Sequence, residues 1–462
     1  MRKESYDVVV IGGGLSGLGV AGMLGKAGKK VVLLEKGGKL GGRAQSIDTE
    51  DGFTLDLGPH VIQEKGFQEE MTDLLGKGDD LRELRAPLVE GDIKVATYRN
   101  GEWINFNDVI PTGPEMEKVG KAIASVGPED MPKYDFMSVA DWVRSITSDE
   151  NVIFFVNFFA SMMSTHPDPN YIAASIPIRC LQMPAYDPST GGLITYYPKG
   201  GMKNWIKLLE EGCEDNGVDI RTHSDVTKIC VKDGNVSGVI VEEGDRSKQI
   251  RFAGFGEIGD LVEIEAPLVV TSFPVWQLFN VMHRQHFPTW FVDYIEWSHN
   301  WVTSDVGFWI ASKEPLFKEK WFVLTESSRT RLPIVILPLS NVSPEIAPEG
   351  VSLSVEVSMA DPTWKHDREI VYNTIEKLKM DMDDLYPGWR EQVIWIKPYF
   401  YGFEQLCHMP AHWGAFRPGP KAPMVDGLYF TGESVNTRLP TMEGTCESAI
   451  ICAEEILGES VR

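Results

Sequence analysis

The sequence predicts an α/β protein, in which a parallel β-sheet is combined with a second part of α+β structure. Three observations predict this fold class. First, 462 residues exceed one ordinary core, and the 43% hydrophobic and 24% charged fractions are those of a folded protein. Second, the chain begins with a β-branched run followed by a glycine-rich turn and an apolar helix face. Third, further strand and helix patterns that suit the same sheet occur at 196–244 and 426–457.

The net charge and the cysteine pattern limit which binding partners and which cellular compartment we expect. The chain has 44 basic and 67 acidic residues, and its net charge of −23 repels nucleic-acid phosphates and anionic lipid headgroups. We therefore expect no nucleic-acid partner. The six cysteines contain no Cys-x-x-Cys pair, and the first strand begins by Tyr6, which leaves no room for a signal peptide. Both features predict a cytoplasmic protein with reduced thiols.

The most apolar run, at 152–163, is shorter than the roughly 20 residues that cross a bilayer. It predicts a buried helix, and the alternative is a helix that lines an apolar channel or dips into a membrane surface. A peripheral membrane contact therefore stays open, as does a homodimer. We expect no metal site, because Pro410 between His408 and His412 argues against a helical pair of ligands.

The first elements form a strand–turn–helix–strand unit. Residues 6–11 predict a parallel strand covered on both faces, and residues 31–34 predict its neighbour. Between them lies Gly12-x-Gly14-x-x-Gly17, followed by a helix that Gly28 can end. The apolar face of this helix is formed by Leu15, Leu18, Ala21 and Leu24.

This unit has the Rossmann-like pattern of a dinucleotide site. Gly12 allows the tight turn, Gly14 lets the backbone approach a pyrophosphate, and Gly17 lets helix and strand pack closely. The amides at the helix start would meet the phosphate charge. Glu35, 23 residues after Gly12, is placed to accept hydrogen bonds from a ribose diol. The residues expected to contact the dinucleotide here are Gly12, Gly14, Leu15, Ser16, Gly17, Glu35 and Lys36.

The stretch directly after Glu35, "KGGKLGGRAQS", resembles the flavoprotein superfamily of amine oxidases, protoporphyrinogen oxidases and phytoene desaturases. In that superfamily a Gly-Gly-Arg turn follows the fingerprint, and Gly41, Gly42 and Arg43 match it. The resemblance implies an FAD-binding domain of the glutathione-reductase and amine-oxidase type. Arg43 would then donate to the FAD pyrophosphate, and the alternative is a surface arginine after a flexible turn.

Two internal segments extend the resemblance. "GFTLDLGPHVI", 52–62, is similar to the family segment beside the isoalloxazine ring, where Gly58 and Pro59 would shape the turn. His60 would face the flavin and move protons, or serve only the structure. Residues 196–244 predict an amphipathic helix and a hairpin that turns at Asp233-Gly234-Asn235. In the family, the residue that matches Val226 touches the adenine through its backbone.

The carboxy-terminal segment, 426–457, is the most telling match. It predicts a strand at 428–431, a turn at Gly432-Glu433 and a long helix from Met442 to Leu457. In the family this acid binds the ribityl chain, and the start of the helix, at Thr441 and Met442, points at the flavin. The helix dipole would stabilise the negative charge of a reduced flavin. The resemblance therefore implies FAD rather than a diffusible NAD.

The predicted FAD domain is discontinuous. It comprises residues 1–85, 197–275 and 400–462, and the substrate domain comprises residues 86–196 and 276–399. Residues 264–274 predict a strand that returns to the FAD sheet, and 245–261 is an insertion without an assigned function.

The sequence favours one reaction class over two others. A flavin accepts a hydride at N5, and we favour a phytoene-desaturase-like enzyme that dehydrogenates, saturates or isomerises a C–C bond of a lipophilic or cyclic substrate. The family's amine oxidases carry a tyrosine where this chain has Thr441. A flavin amine oxidase acting on a C–N bond is the runner-up, and a non-catalytic flavin-binding scaffold is the third hypothesis. The electron acceptor is left open.

One segment bears on how the flavin is held. "EQLCHMPAHWG", 404–414, loosely resembles the segment in which some amine oxidases carry a flavin-linked cysteine. Cys407 would be the link, and His408 would replace a cage tyrosine as a candidate catalytic residue. We expect non-covalent FAD, with Cys407 a buried thiol.

Overall fold

The computed structural model describes residues 2–86, 95–99, 102–183, 186–187, 192–193, 195–244, 251–252, 255–256, 259–318, 322–402 and 405–462. The insertion at 245–261 lies largely outside these residues. The strands are β1 Arg2–Ser5, β2 Val8–Ile11, β3 Val31–Leu34, β4 Ser46–Asp48, β5 Thr54–Asp56, β6 Ile62–Gln63, β7 Val95–Arg99, β8 Glu102–Asn105, β9 Tyr186–Asp187, β10 Gly192–Leu193, β11 Thr195–Tyr196, β12 Asp219–Arg221, β13 Ser224–Lys232, β14 Asn235–Glu243, β15 Arg251–Phe252, β16 Phe255–Gly256, β17 Asp260–Glu265, β18 Leu268–Thr271, β19 Ser304–Ser312, β20 Phe322–Glu326, β21 Pro333–Leu337, β22 Ser352–Ala360, β23 Val393–Tyr401 and β24 Leu428–Phe430. The helices are α1 Leu15–Lys26, α2 Phe67–Leu74, α3 Gly78–Glu83, α4 Pro114–Ser125, α5 Met131–Tyr134, α6 Val139–Ile146, α7 Glu150–Ser164, α8 Ser175–Leu181, α9 Met202–Asp215, α10 Thr289–Ser298, α11 Arg368–Leu385, α12 Trp389–Gln392 and α13 Thr441–Leu457.

The predicted parallel sheet has five strands in the order β12-β3-β2-β18-β24. In its central strand, Val8 and Val10 pack with α1, α9 and α13, while Val9 and Ile11 pack against a second, four-stranded sheet. Burial on both faces is why this strand is apolar at every position. The α/β fold class is confirmed, and the two faces of the sheet carry different layers.

The four-stranded sheet has the order β1-β17-β14-β13. Its hairpin turns at Asp233 and Gly234, which take φ angles of +52° and +80°, as the sequence predicts. The first strand differs from the prediction, because β1 is separate from β2 and pairs in parallel with β17. This pairing joins residues more than 250 positions apart, Arg2 with Val262 for example, so local patterns do not reveal it.

The third sheet has the order β23-β19-β22-β21-β20-β7-β8. On one face its side chains pack with α11, and on the other Val335, Leu337 and Val357 line a cavity. Helix α7, which contains the apolar run at 152–163, is partly buried and turns an apolar face to the same cavity. In the described part of the chain, no helix is both long and apolar enough to cross a membrane.

Candidate active site

One large cavity lies among the parallel sheet, helix α7 and the seven-stranded sheet. Its volume is about 2280 Å³, whereas a typical ligand pocket has roughly 300–1,000 Å³. Every predicted cofactor-binding residue except Gly17 lines it. Those residues are Gly12, Gly14, Leu15, Ser16, Glu35, Lys36, Gly41, Gly42, Arg43, Gly58, Pro59, His60, Val226, Gly432, Glu433, Thr441 and Met442.

The glycines of the glycine-rich turn have two different surroundings: Gly12 and Gly17 are tightly packed, whereas Gly14 is open. A Cβ added to Gly17 would lie 2.0 Å from the backbone oxygen of Gly12, and one added to Gly12 would lie 2.6 Å from Ser272 Oγ. Gly12 also has a φ of +102°, which L side chains rarely adopt. A Cβ added to Gly14 meets nothing within 4 Å. Gly12 and Gly17 are therefore required by packing, whereas the open side of Gly14 leaves the start of α1 accessible from the cavity.

The Glu35 carboxylate lies beside this turn at the end of β3. It accepts hydrogen bonds from the backbone N–H groups of Gly13, at 2.8 Å, and Gly37, at 2.7 Å. A carboxylate has about four acceptor sites, so Glu35 keeps acceptor capacity for a ligand hydroxyl. Val226, at the β13 position where the hairpin approaches this end, lines the same part of the cavity.

The Gly-Gly-Arg turn packs directly on the glycine-rich turn. The Gly41 N–H donates to the Gly13 carbonyl at 2.7 Å, and a Cβ on Gly42 would lie 3.2 Å from the Cα of Gly14. The Arg43 side chain extends from there towards the carboxy-terminal segment, where its Nη1 lies 3.5 Å from Glu433 Oε1. Arg43 and Glu433, which are 390 positions apart in the sequence, therefore lie next to each other in the cavity wall.

Glu433 follows β24 and is buried. Its Oε2 accepts the Leu406 N–H at 3.0 Å, and the Gly432 N–H donates to Ser448 Oγ in α13 at 2.7 Å. Helix α13 begins at Thr441, whose φ of +58° is unusual for a β-branched residue. The turn and the helix start therefore face the cavity together.

His60 lines the cavity beside Trp309 of the seven-stranded sheet. Its ring contacts Trp309 edge-on, with 5.6 Å between the ring centroids. Burial lowers the His60 pKa to about 4. The ring is therefore neutral near pH 7.

The part of the cavity between helix α7 and the seven-stranded sheet is a mainly apolar chamber. Helix α7 contributes residues at helical spacing, Phe155, Phe158, Phe159, Met162 and Met163. The seven-stranded sheet supplies the opposite side, with Trp309, Phe322, Leu324, Val335, Leu337, Val357, Met359, Tyr399, Phe400 and Tyr401. This surface suits an apolar or planar molecule.

Sequence reasoning missed several polar residues of the cavity lining, and Gln68 and Glu443 are two of them. The buried Glu443 carboxylate accepts the Phe67 and Gln68 N–H groups at the start of α2, the latter at 3.3 Å, and burial raises its pKa to about 8. The Gln68 amide donates to the Val61 carbonyl at 3.4 Å. An acid in the first turn of a predicted helix was the available signal for Glu443, but its partners come from α2.

A family profile described as flavin containing amine oxidoreductase matches residues 15–457. The chain belongs to this family. Membership implies a flavin cofactor and confirms the resemblance that the motifs carry.

Relatives of this chain have names that describe different activities. The 4,4'-diapolycopene oxygenase of Methylomonas sp is 27% identical over 280 residues, which are 53% of this chain and 54% of the relative. Prolycopene isomerase 2 of an Oncidium hybrid cultivar is 26% identical over 282 residues, 53% of this chain and 47% of the relative. The chain thus spans about half the length of these curated relatives.

A solved oxidoreductase from Methanosarcina mazei has the same fold. It is 21% identical, with a TM-score of 0.71 over 99% of this chain and 100% of the solved one.

Of the segment around Cys407, Gln405 lines the cavity of this flavoprotein. Neither Cys407 nor His408 is among the residues that line the cavity. Both are buried, and His408 packs edge-on against Trp413, with 4.6 Å between the ring centroids. Of the two candidate catalytic histidines, the structure brings only His60 to the cavity.

Proposed function

We propose that the chain binds FAD without a covalent link and acts as a phytoene-desaturase-like oxidoreductase on a C–C bond of a lipophilic or cyclic substrate. The observation that carries this proposal is the continuity of the cavity. It extends from the open side of Gly14, past Glu433 and the start of α13, into the apolar chamber beside His60. A dinucleotide and an apolar substrate can therefore be held end to end.

The cavity wall offers the donor set that FAD requires. The start of α1, the open side of Gly14 and Arg43 would hold the diphosphate. Glu35 would accept from the adenosine ribose, Val226 would lie at the adenine, and Glu433 would accept from the ribityl chain. The start of α13 would favour negative charge on the flavin. When bound, FAD supplies hydride acceptance or return at N5.

The residues of the chamber would orient the reacting bond and exclude water. Most of the side chains that α7 and the seven-stranded sheet turn to this space are apolar, and Asp305, Tyr399 and Tyr401 are polar exceptions. His60, neutral because of its lowered pKa, would donate from one ring nitrogen and accept at the other. A charged acid or base is not required for this assignment.

Several features support non-covalent binding and C–C chemistry. Cys407 lies outside the cavity lining, and burial raises the pKa of Cys180, which does line it, to about 12. Thr441 stands where the family's amine oxidases have a cage tyrosine. Among the described residues, Lys36 is the lysine that lines the cavity. It lies at the nucleotide end, away from the apolar chamber. The relatives named for diapolycopene and prolycopene agree with an apolar substrate.

An amine oxidase is the second candidate, and a specific observation favours it. The Asp305 carboxylate lines the chamber together with Tyr399 and Tyr401. A carboxylate near aromatic faces can stabilise a cationic amine. A non-catalytic scaffold is disfavoured, because it would not need an apolar chamber beside the flavin-facing residues.

Titration with FAD followed by anaerobic reduction tests this proposal. Purified protein is first titrated with FAD, and the quenching of flavin fluorescence gives the affinity. Neutral polyenes, cyclic alkenes, and primary and secondary amines are then added without oxygen, while the flavin absorbance near 450 nm is followed. Bleaching by polyenes or cyclic alkenes alone supports C–C chemistry. Bleaching by amines, with peroxide formed when air is admitted, establishes the second candidate instead, and failure to bind FAD refutes both.

A further inference from the structure

A buried arginine, Arg417, lies directly behind the flavin-facing acid. Its side chain is 3% exposed and is outside the cavity lining, so it touches neither cofactor nor substrate. It packs over the Trp413 ring, with 4.5 Å from the guanidinium carbon to the ring centroid. Its hydrogen-bond acceptors are backbone carbonyls of two distant segments, those of Leu406, Cys407, His412 and Glu433.

These bonds form a closed connection with Glu433. Arg417 Nη1 donates to the Glu433 carbonyl, and Nη2 donates to the Leu406 carbonyl at 2.8 Å. The Leu406 N–H in turn donates to Glu433 Oε2 at 3.0 Å. Arg417 therefore bonds both to the backbone of Glu433 and to the residue whose N–H holds the Glu433 carboxylate.

We propose that Arg417 is the positioning residue for Glu433, and that it sets the orientation in which this acid meets the flavin. This inference rests on the proposed binding of FAD. It also assigns a purpose to "LCHMPAHW", 406–413, which braces Glu433 from behind instead of supplying a flavin-linked cysteine. The planar guanidinium holds several acceptors in a fixed fork, and a lysine ammonium cannot reproduce that geometry.

A double-mutant cycle for FAD affinity tests the proposal. Arg417→Met is made in the natural background and in Glu433→Ala, and the four affinities are measured by flavin fluorescence. Because hydrogen bonds to a charged group are stronger than neutral ones, Arg417→Met is expected to weaken FAD binding about 10- to 100-fold in the natural background, which is about 1.4–2.7 kcal/mol. In Glu433→Ala the same change is expected to matter less than about 3-fold, because the residue through which it acts is gone. Equal losses in both backgrounds, or no loss in either, overturn the proposal.

Arg417→Lys keeps the positive charge, and it provides a second test if Arg417→Met does not fold. Its bound flavin is expected to show altered visible circular dichroism together with weaker binding. An unchanged spectrum and affinity overturn the proposal. Arg329→Lys is the control, since Arg329 pairs with Asp381 at 2.6 Å and lies outside the cavity lining. If the natural protein does not bind FAD, the proposed function fails; if it binds and the cycle is additive, only the role of Arg417 fails.

Discussion

The same substitution at two glycines of one turn should have opposite consequences. Gly14→Ala places a methyl group at a point where no residue beyond its chain neighbours has an atom within 4 Å, on the side that faces the cavity. Gly17→Ala places it 2.0 Å from the Gly12 carbonyl oxygen and 2.8 Å from Ser272 Oγ. We expect Gly14→Ala to lose FAD and keep the fold, and Gly17→Ala to lose stability.

The expected magnitudes follow from these distances. For Gly14→Ala, a poorer helix N-cap costs about 1 kcal/mol, and the less flexible unfolded chain offsets about 0.4–1 kcal/mol of that. For Gly17→Ala, overpacking costs about 1–3 kcal/mol. Displacing the Gly12 carbonyl also breaks its hydrogen bond from Ser272 Oγ, 2.8 Å long, which adds about 1 kcal/mol. We therefore expect Gly17→Ala to lose about 2–4 kcal/mol and Gly14→Ala to stay within about 1 kcal/mol of the natural protein.

Two assays separate these effects. Urea unfolding without FAD measures stability, and fluorescence titration measures FAD affinity, which should fall at least about 100-fold in Gly14→Ala because a methyl group there meets the diphosphate. Gly120→Ala is the matched control, since its added Cβ also meets nothing within 4 Å and it lies in α4, outside the cavity lining. Gly14→Ala binding FAD within about 3-fold of the natural protein, or unfolding as readily as Gly17→Ala, would refute the reasoning.

Three further predictions concern pH and the chamber. Burial raises the Glu356 pKa to about 8, against 4.5 for an ordinary glutamate, so the native carboxyl keeps its proton where the unfolded one has lost it. The contribution of Glu356 to stability should therefore fall as pH rises from 5 to 8, so the urea midpoint of the natural protein should fall relative to that of Glu356→Gln over that range; parallel curves would contradict this. Met162→Gln places a polar amide in the apolar chamber and should raise the KM for an apolar substrate about 10-fold at unchanged FAD affinity, measured by stopped-flow flavin reduction. Since the His60 pKa is about 4, the pH profiles of flavin reduction for natural protein and His60→Gln should have the same shape between pH 5 and 8, and a step near pH 6.5 lost only in the variant would contradict that.

The local elements of the nucleotide-binding half were predictable because short-range rules specify them. The second strand was predicted at 31–34 and is observed at Val31–Leu34. The hairpin turn at Asp233-Gly234 depends on φ angles that these residue types adopt readily. The helix predicted from Met442 begins one residue earlier, at Thr441. The division into two domains with the stated boundaries stays a prediction.

Site residues could be predicted only in segments that a motif or the family resemblance covers. The lining contains Arg43 and Glu433 as expected, but their 3.5 Å approach could not be read from residues 390 positions apart. His408 was singled out for its place in a loosely matching segment, and packing against Trp413 places it behind the wall.

By itself, the sequence determined the fold class, the glycine-rich turn and the flavin family, because these depend on spacing, periodicity and local backbone conformation. Only the tertiary structure decided which polar groups share a wall, which histidine reaches the cavity, and that Arg417 braces Glu433. Such contacts depend on how distant segments pack against each other. Packing is a property of the assembled interior, so no single stretch of the chain specifies it.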